Sequence, residues 1–181
     1  MFVEILGARN FEKLDVGLLC IEVKSAFNLE VSFRKAVMDF GATFDANRLQ
    51  YNSTQILHLL LNSGKIQNDS KAIILTDLDL FVPILTYVFG EAELNGRAAI
   101  ASSHRLHNEY YGLPKNEPLL QTRTTKEIIH ELGHTFGLIH CKDYMCVMHS
   151  STYVEDIDLK KASLCISCKD KLEILDGNRL K

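Results

Sequence analysis

The sequence has little of what marks low-complexity, membrane-spanning or secreted proteins. Its three prolines and ten glycines are scattered, and the 181 residues contain no internal repeat and no block of like charge. The longest apolar runs, such as residues 56–61, are far shorter than the about 20 residues that cross a bilayer. The N-terminus lacks the basic start, the continuous apolar stretch and the small-residue cleavage site of a secretory signal. We therefore expect a cytoplasmic protein that does not enter a membrane.

Positive and negative charges are nearly balanced along the chain, which bears on whether the protein binds a strongly charged partner. Charged residues make up 24% of the sequence, the net charge is -3 at pH 7 and the pI is about 6.2. Such values give no reason to expect nucleic acid or an anionic membrane as a partner. The 46% of hydrophobic residues is enough for a core, and 181 residues suit one domain, or one lobe with a smaller one.

Strand-like and helix-like patterns alternate over the first hundred or so residues, which predicts an α/β fold. Strands are predicted at short apolar or alternating runs, and helices where a capping residue precedes apolar residues at helical spacing. Gly41–Asn52 is rich in turn residues and predicts a loop, while the segments flanking Asn95-Gly96 predict a hairpin or an edge pair. The predicted strands are Val3–Leu6, Leu29–Phe33, Ala72–Thr76, Tyr87–Phe89 and Ala98–Ala101, and the predicted helices begin at Asp15 and at Ser53 or Thr54.

The most informative stretch predicts a helix that carries two histidines and a glutamate. Thr124 and Glu127 form a capping box, which predicts that the helix starts there. His130 and His134 are four residues apart, so they share one helical face and can reach one Zn²⁺ at about 2.0–2.1 Å. Glu131 follows His130 directly, so its side chain is turned about a quarter-circle around the helix axis from that of His130. It is therefore predicted beside the metal rather than on it, as a general base for bound water.

A glycine after this helix predicts how a third ligand joins the first two. Gly137 can adopt the left-handed conformation that ends a helix, and the chain then turns back so that His140 faces the same metal. Three protein ligands leave one position open, which is typical of a catalytic zinc. A bare His-Glu-x-x-His occurs by chance in helices, but chance agreement of the cap, the apolar face, the glycine and the third histidine is improbable. The remaining histidines are predicted to have surface or packing roles: His58, His104, His107 and His149.

The C-terminal third contains a C-x4-C and a C-x2-C pair, which together predict a second, structural zinc site with four thiolate ligands. Two disulfides, or four unrelated thiols, are the alternatives, and a reducing compartment makes both less favoured. A metal here would tie the chain that leaves the third histidine to the C-terminal segment, where a small core gains most from such a clip. The fifth cysteine, Cys20, is predicted to be a buried small hydrophobe. The four predicted ligands are Cys141, Cys146, Cys165 and Cys168.

The whole pattern resembles one known family. His-Glu-x-x-His-x-x-Gly-x-x-His with a downstream Met is the metzincin signature. With the cysteine that follows the third histidine and the later cysteines, it resembles the archaemetzincins, a minimal metzincin family of zinc metallopeptidases. Upstream, Arg48-x-Gln50-Tyr51-Asn52 and Thr76-Asp77-x-Asp79-Leu80-Phe81 are also similar to that family, so that the resemblance covers most of the chain.

The resemblance implies a metzincin-like fold in one peptidase domain. Its upper subdomain, residues 1–137, would hold a twisted mixed sheet, an antiparallel edge strand above the cleft and the active-site helix as the floor. Its lower subdomain, residues 138–181, would hold the Met-turn, the four-cysteine site and a C-terminal helix. Met148 would be the Met-turn residue, an apolar base beneath the metal that does not bind it. Some metzincins have a Tyr two residues after this Met, but Ser150 stands there, so that Tyr144, Tyr153 or the zinc alone must stabilise the oxyanion.

The predicted function is peptide-bond hydrolysis with two Zn²⁺, one catalytic and one structural. The catalytic zinc would lower the pKa of its water, and Glu131 would accept the proton and pass it to the leaving amine. A peptide or protein substrate is expected to lie extended along an exposed strand, for which Ala98–Ser103 is the candidate. We also expect a monomer. The alternatives are a weakly catalytic or non-catalytic peptide-binding module of the same fold, and a structural protein in which both metals only hold the fold.

Overall fold

The computed structural model describes the backbone of residues 1–179 and the side chains of residues 1–175. A twisted five-stranded sheet has the order β2-β1-β5-β8-β7, and a small three-stranded sheet has the order β3-β4-β6. In the large sheet β7 alone is antiparallel to its neighbour. The strands are β1 (Phe2–Gly7), β2 (Val31–Lys35), β3 (Phe44–Asp45), β4 (Gln50–Asn52), β5 (Ser70–Thr76), β6 (Leu80–Phe81), β7 (Gly90–Ala92) and β8 (Ala98–Ser102).

Helices cover both faces of the large sheet, because its central strands are apolar on both sides. Alternate residues of β5 show the division: Ile73 and Leu75 face the core shared with α1 and α3, and Ala72 and Ile74 face the core shared with α2. This mixed arrangement confirms the predicted α/β class. The helices are α1 (Val16–Phe27), α2 (Ser53–Asn62), α3 (Glu117–Thr135), α4 (Val154–Leu159) and α5 (Ile166–Arg179). No helix in the described part of the chain is both long and apolar enough to cross a membrane.

Local sequence signals explain most helix boundaries. Asp15 caps α1 by accepting a hydrogen bond from the Leu18 backbone N–H at 2.9 Å, as predicted, and Asn28 ends the helix in the left-handed conformation. For α2 the predicted cap is wrong by one residue. Asn52 accepts from the Gln55 N–H at 3.1 Å, since an Asn side chain placed before the first turn is an equally good cap.

Two predictions for the region before the active-site helix are wrong in detail. The predicted loop 41–52 contains a 3₁₀ turn and the two strands β3 and β4. The hairpin prediction paired residues 87–89 with β8, but the strand that pairs with β8 is β7. Residues 87–89 are not that strand, because the Val88 N–H donates to the carbonyl of Leu80 at 3.0 Å. As a result β8 lies inside the sheet between β5 and β7, and the predicted substrate strand Ala98–Ser103 has no free edge.

The C-terminal segment packs against α3 rather than apart from it. Val154, Ile157, Leu164 and Leu172 belong to the same apolar core as the buried face of α3. The division of the chain near residue 137 into two subdomains stays a prediction. Residues 180 and 181 lie outside the described part of the chain.

Candidate active site

Helix α3 is longer than the sequence pattern predicts. It begins after Asn116, whose side chain accepts from the Leu119 N–H at 3.0 Å, and Pro118 occupies its first turn. The predicted start at Thr124 and Glu127 is wrong. Thr124 is buried in mid-helix, and its hydroxyl donates to the Leu120 carbonyl at 2.8 Å. A Thr followed three residues later by a Glu therefore matches a capping box here only in sequence.

The structure brings the three predicted histidine ligands together. His130 and His134 lie one turn apart on α3, and the ligand atoms of these two and His140 are all within 4.8 Å of one another. The His130 Nδ1 is 2.8 Å from the Val147 carbonyl, and the His134 Nδ1 is 2.7 Å from the Leu138 carbonyl. A carbonyl only accepts hydrogen bonds, so each Nδ1 carries the hydrogen and each Nε2 presents a lone pair.

The turn after α3 completes this arrangement. The helix ends at Thr135, and Gly137 adopts φ +94°, a conformation in which a side chain would be strained. The Leu138 N–H then donates to the Gly133 carbonyl at 3.0 Å, and the chain reverses toward His140. Since the Leu138 carbonyl also orients His134, the same turn positions two of the three histidines.

The donor set fits a zinc ion. The Nε2 atoms of His130 and His134 are 3.2 Å apart with no hydrogen between them. Two nitrogens about 2.0–2.1 Å from one tetrahedral ion lie about 3.3 Å apart, so this contact matches a pair of ligands. Burial lowers the pKa of all three histidines, and that of His130 is lowered furthest. The imidazoles are therefore neutral at pH 7, which is the form that binds metal.

Met148 lies under the helix where the resemblance places the Met-turn residue. It is completely buried, and a Cβ added to Gly133 would clash with its sulfur. The helix therefore has a glycine at the point where the methionine side chain passes beneath it. Close packing between α3 and the Met148 segment depends on this small residue.

Glu131 is buried beside a second carboxylate and a lysine. It is 5% exposed, Glu127 one turn earlier is 4% exposed, and Lys160 is 5% exposed. Burial, followed by the charge of Glu127, raises the pKa of Glu131 well above its ordinary value, and Lys160 opposes the rise. The lysine also donates to the Val147 carbonyl at 3.3 Å, the same carbonyl that accepts from His130. Sequence reasoning missed both neighbours. The i, i+4 spacing of Glu127 and Glu131 could have indicated the pair, whereas Lys160 lies far away along the chain.

A cavity of about 400 Å³ opens over these groups. Its floor contains His130, Glu131 and His140, one wall is the segment 85–90, and the other is the segment 150–153. Tyr153 and Ser150 line it, whereas Tyr144 does not and instead packs against His149, with ring centroids 4.9 Å apart and the rings tilted by 59°. Of the two tyrosines considered for the oxyanion, only Tyr153 therefore lines the cavity.

The four C-terminal cysteines also converge. All are free thiols, and their sulfurs lie within 4.8 Å of one another. The Cys141 to Cys165 and the Cys146 to Cys168 sulfur distances are both 3.8 Å. Thiolates at about 2.3 Å from a tetrahedral zinc are also about 3.8 Å apart, so the spacing fits that ion rather than disulfides. Of the remaining histidines, His58 is exposed, and His104, His107 and His149 belong to no group of three potential metal ligands among the described residues.

Comparisons with known proteins agree with this geometry. The sequence model described as Peptidase family M54 matches residues 20–174. The archaemetzincin of Methanocaldococcus jannaschii is 43% identical over 130 residues, which are 72% of this chain and 70% of that protein. A zinc-dependent peptidase from Methanocorpusculum labreanum has a similar structure, with TM-score 0.83 and 28% identity over 94% of this chain and 99% of that one. For the archaemetzincin of Methanopyrus kandleri the TM-score is 0.82, with 30% identity over 97% of this chain and 96% of that one.

Proposed function

Because the chain belongs to the archaemetzincins, peptidase family M54, and is a zinc metallopeptidase, we propose that it hydrolyses peptide bonds at the cavity above His130, His134 and His140. The convergence of three neutral imidazoles beside a buried carboxylate carries this proposal. Zinc held by the three histidines would supply a Lewis acid and a means of activating water at neutral pH.

In this proposal Glu131 moves the proton. Its carboxylate oxygen accepts a proton from the attacking water and later donates it to the nitrogen of the leaving amine. Burial of Glu131 supports the role, because a carboxylate with a raised pKa holds a proton long enough to return it. Lys160 and Glu127 would set how readily that oxygen takes the proton.

The substrate would bind as an added strand. The edge strand β7 lies directly above Glu131, since a Cβ on Gly90 would fall 2.6 Å from the Glu131 Cγ. Its outer edge has no strand partner in the described part of the chain, so an extended peptide can pair with its backbone. This assigns to β7 the role that the sequence analysis predicted for Ala98–Ser103.

We assign a second zinc, with a structural role, to the four cysteines. Burial raises the pKa of the Cys146 and Cys168 thiols, so a bound cation is needed to keep them as thiolates. Four sulfur ligands close the coordination shell, which excludes water and chemistry from that metal. The monomeric state and the cytoplasmic location stay predictions.

Two variants separate metal binding from chemistry. Glu131→Gln keeps the shape of the side chain but cannot accept a proton, so we expect zinc to stay bound and hydrolysis to fall by about 10²–10⁴-fold. His134→Ala removes a ligand, so we expect loss of one zinc as well as activity. Cleavage of a peptide library, followed by mass spectrometry, and elemental analysis are the measurements. A Glu131→Gln protein with zinc and parental turnover would contradict the proposal and favour a peptide-binding module whose cleavage is incidental.

A further inference from the structure

The two walls of the active-site cavity are joined by a hydrogen bond. The hydroxyl of Tyr87, on the wall that leads into β7, donates a hydrogen bond to the Thr152 carbonyl of the opposite wall at 2.8 Å. Both residues line the same cavity as His130 and Glu131. The hydrogen bond therefore spans the space between the two walls of the cavity.

The tyrosine that makes this bridge is held rigidly. The guanidinium of Arg105 lies 4.2 Å from the centre of its ring, and the ring meets Phe89 edge-on at 5.5 Å. Arg105 itself forms a bidentate ion pair with Asp79, with distances of 2.6 and 2.7 Å, and both side chains are largely buried. A two-pronged pair of this kind leaves Arg105 little freedom, so the ring stacked on it is fixed as well.

The backbone just before Tyr87 is held by the same network. Arg48 donates to the carbonyls of Leu85 and Thr86 at 2.6 and 3.1 Å. Gln50 donates to the Thr86 carbonyl at 3.1 Å and to the Asp79 carboxylate at 3.2 Å. Arg48, Gln50 and Asp79 from the two upstream motifs thus have a common task in this structure, which is to hold this wall in place.

The bridge lies close to the general base. Gly90 lies against Glu131, and Tyr87 is three residues earlier. Three residues of fully extended chain span at most about 11 Å. A substrate lying alongside in the extended conformation therefore has room for at most about three residues between the scissile bond and the bridge.

The hydrogen bonds of β7 indicate which end of the substrate meets the bridge. The Ser102 N–H donates to the Phe89 carbonyl and the Glu93 N–H donates to the Ala98 carbonyl, so residues 89, 91 and 93 face β8. By alternation Gly90 and Ala92 direct their backbone groups to the free edge. An antiparallel strand, the more stable pairing, places the C-terminal part of a peptide beside the residues that precede Gly90, where the bridge lies.

We propose that the bridge between Tyr87 and Thr152 is an end wall, and that the enzyme releases C-terminal fragments of at most about three residues from its substrates. This deepens the proposed function and rests on it. In each event one water is consumed: the C–N bond breaks, the hydroxyl goes to the acyl carbon, and the proton goes by way of Glu131 to the nitrogen of the short fragment. The substrate class is thus peptides with an accessible C-terminus.

The test uses the zinc-loaded full chain and two series of peptides. Both start from one sequence, which is lengthened one residue at a time at its C-terminus in one series and at its N-terminus in the other. In the parent we expect release of C-terminal fragments of up to about three residues and no cleavage further inside the chain. Tyr87→Phe keeps the ring and removes the bridging hydroxyl, so we expect longer C-terminal fragments to appear. Tyr110→Phe is the matched control, because Tyr110 also lies against Arg105, at 4.8 Å, but does not line the cavity, and the fragment lengths should not change.

A binding measurement does not depend on turnover. In zinc-loaded Glu131→Gln protein, calorimetry should show at least about a tenfold loss of affinity when a peptide is lengthened past the wall, and Glu131→Gln/Tyr87→Phe should not show this loss. If binding depends on peptide length but the parent cleaves no peptide, the end wall is supported and the proposed catalysis is contradicted. Equal binding and cleavage at all C-terminal lengths, or release of short N-terminal fragments instead, would overturn the proposal.

Discussion

Gly90 is the residue at which the edge strand β7 lies against Glu131, the proposed general base on α3. A Cβ there would be 2.6 Å from the Glu131 Cγ and 2.6 Å from the Ile100 carbonyl oxygen. Both neighbours are buried and cannot move far, since one belongs to β8 and the other to α3. The absence of a side chain at Gly90 therefore sets the position of Glu131.

We predict that Gly90→Ala displaces Glu131 and lowers activity by at least about tenfold, with a loss of stability of about 1–3 kcal/mol from overpacking. Thermal unfolding and turnover of one cleaved peptide measure the two effects. Gly17→Ala on α1 is the control, because the added methyl would meet only the Asp15 carboxylate, at 3.3 Å, and Gly17 does not line the cavity. Full activity in Gly90→Ala would contradict this prediction, because it would show that β7 can shift to accommodate the methyl group without displacing Glu131.

A second prediction at this scale concerns Lys160 and the pH dependence of hydrolysis. Its positive charge lowers the pKa of Glu131 against the larger effect of burial. A base must be unprotonated, so activity is lost as the pH falls through that pKa. In Lys160→Met the pKa should rise, and the acid limb of the pH–rate profile should shift to higher pH.

Lys160→Arg keeps the positive charge and is the conservative control. Its acid limb should lie near that of the parent. A purely structural role for the lysine would lower activity at every pH without moving the limb. An acid limb that stays at the parental pH in Lys160→Met would contradict the electrostatic role.

At the scale of the elements, α3 is the framework on which the site depends. It supplies two of the three histidines and the proposed base, and it joins the large sheet to the C-terminal segment. Arg123 makes the clearest link. It forms a bidentate pair with Asp158 of α4 at 2.7 and 2.6 Å, and donates to the Leu106 carbonyl and to Asn108.

Asp158→Ala should leave the buried Arg123 guanidinium without its counter-charge. Breaking a fully buried pair costs about 3–5 kcal/mol, and because Asp158 is about a third exposed we expect about 2 kcal/mol. The melting temperature measures this loss. Glu117→Ala removes the partner of Lys115 in an exposed pair at the start of the same helix and should change the melting temperature little. Equal melting temperatures for Asp158→Ala and the parent would show that Arg123 does not need this partner.

At the scale of the whole molecule, the four-cysteine cluster joins the chain that leaves the third histidine to α5. Cys141 follows His140 directly, and Cys168 lies in the first turn of α5. Apolar side chains also hold this segment to α3, and a metal bound by the four cysteines would add to its stability.

We predict two zinc ions per chain in protein purified without added metal, and one in Cys165→Ser. The melting temperature of this variant should fall by roughly 10 °C, since each kcal/mol corresponds to about 2–4 °C in a domain of this size. Cys20→Ser is the matched control, because Cys20 lies on α1 outside the cluster and should leave the metal content unchanged. A single tightly bound zinc in the well-folded parent would refute the structural site.

Local patterns in the sequence determined much of this protein. The α/β class, the cap of α1, the buried strand β5 and the turn at Gly137 were predictable because neighbours along the chain decide them. The same holds for the facing of His130 and His134, which follows from helical geometry. The spacing of the cysteines likewise predicted that their four sulfurs come together.

Other features were decided only by tertiary contacts. Thr124 matches a helix start in sequence, yet Asn116 and Pro118 begin the helix earlier, and no local signal ranks the two caps. Which strand is the edge depends on pairing among distant segments, so β7 rather than β8 borders the cavity. Lys160 approaches Glu131, and Tyr87 reaches Thr152, only because the fold brings together residues far apart along the chain. A periodic pattern records which face of an element is buried but not which element covers it, and these contacts therefore required the three-dimensional structure.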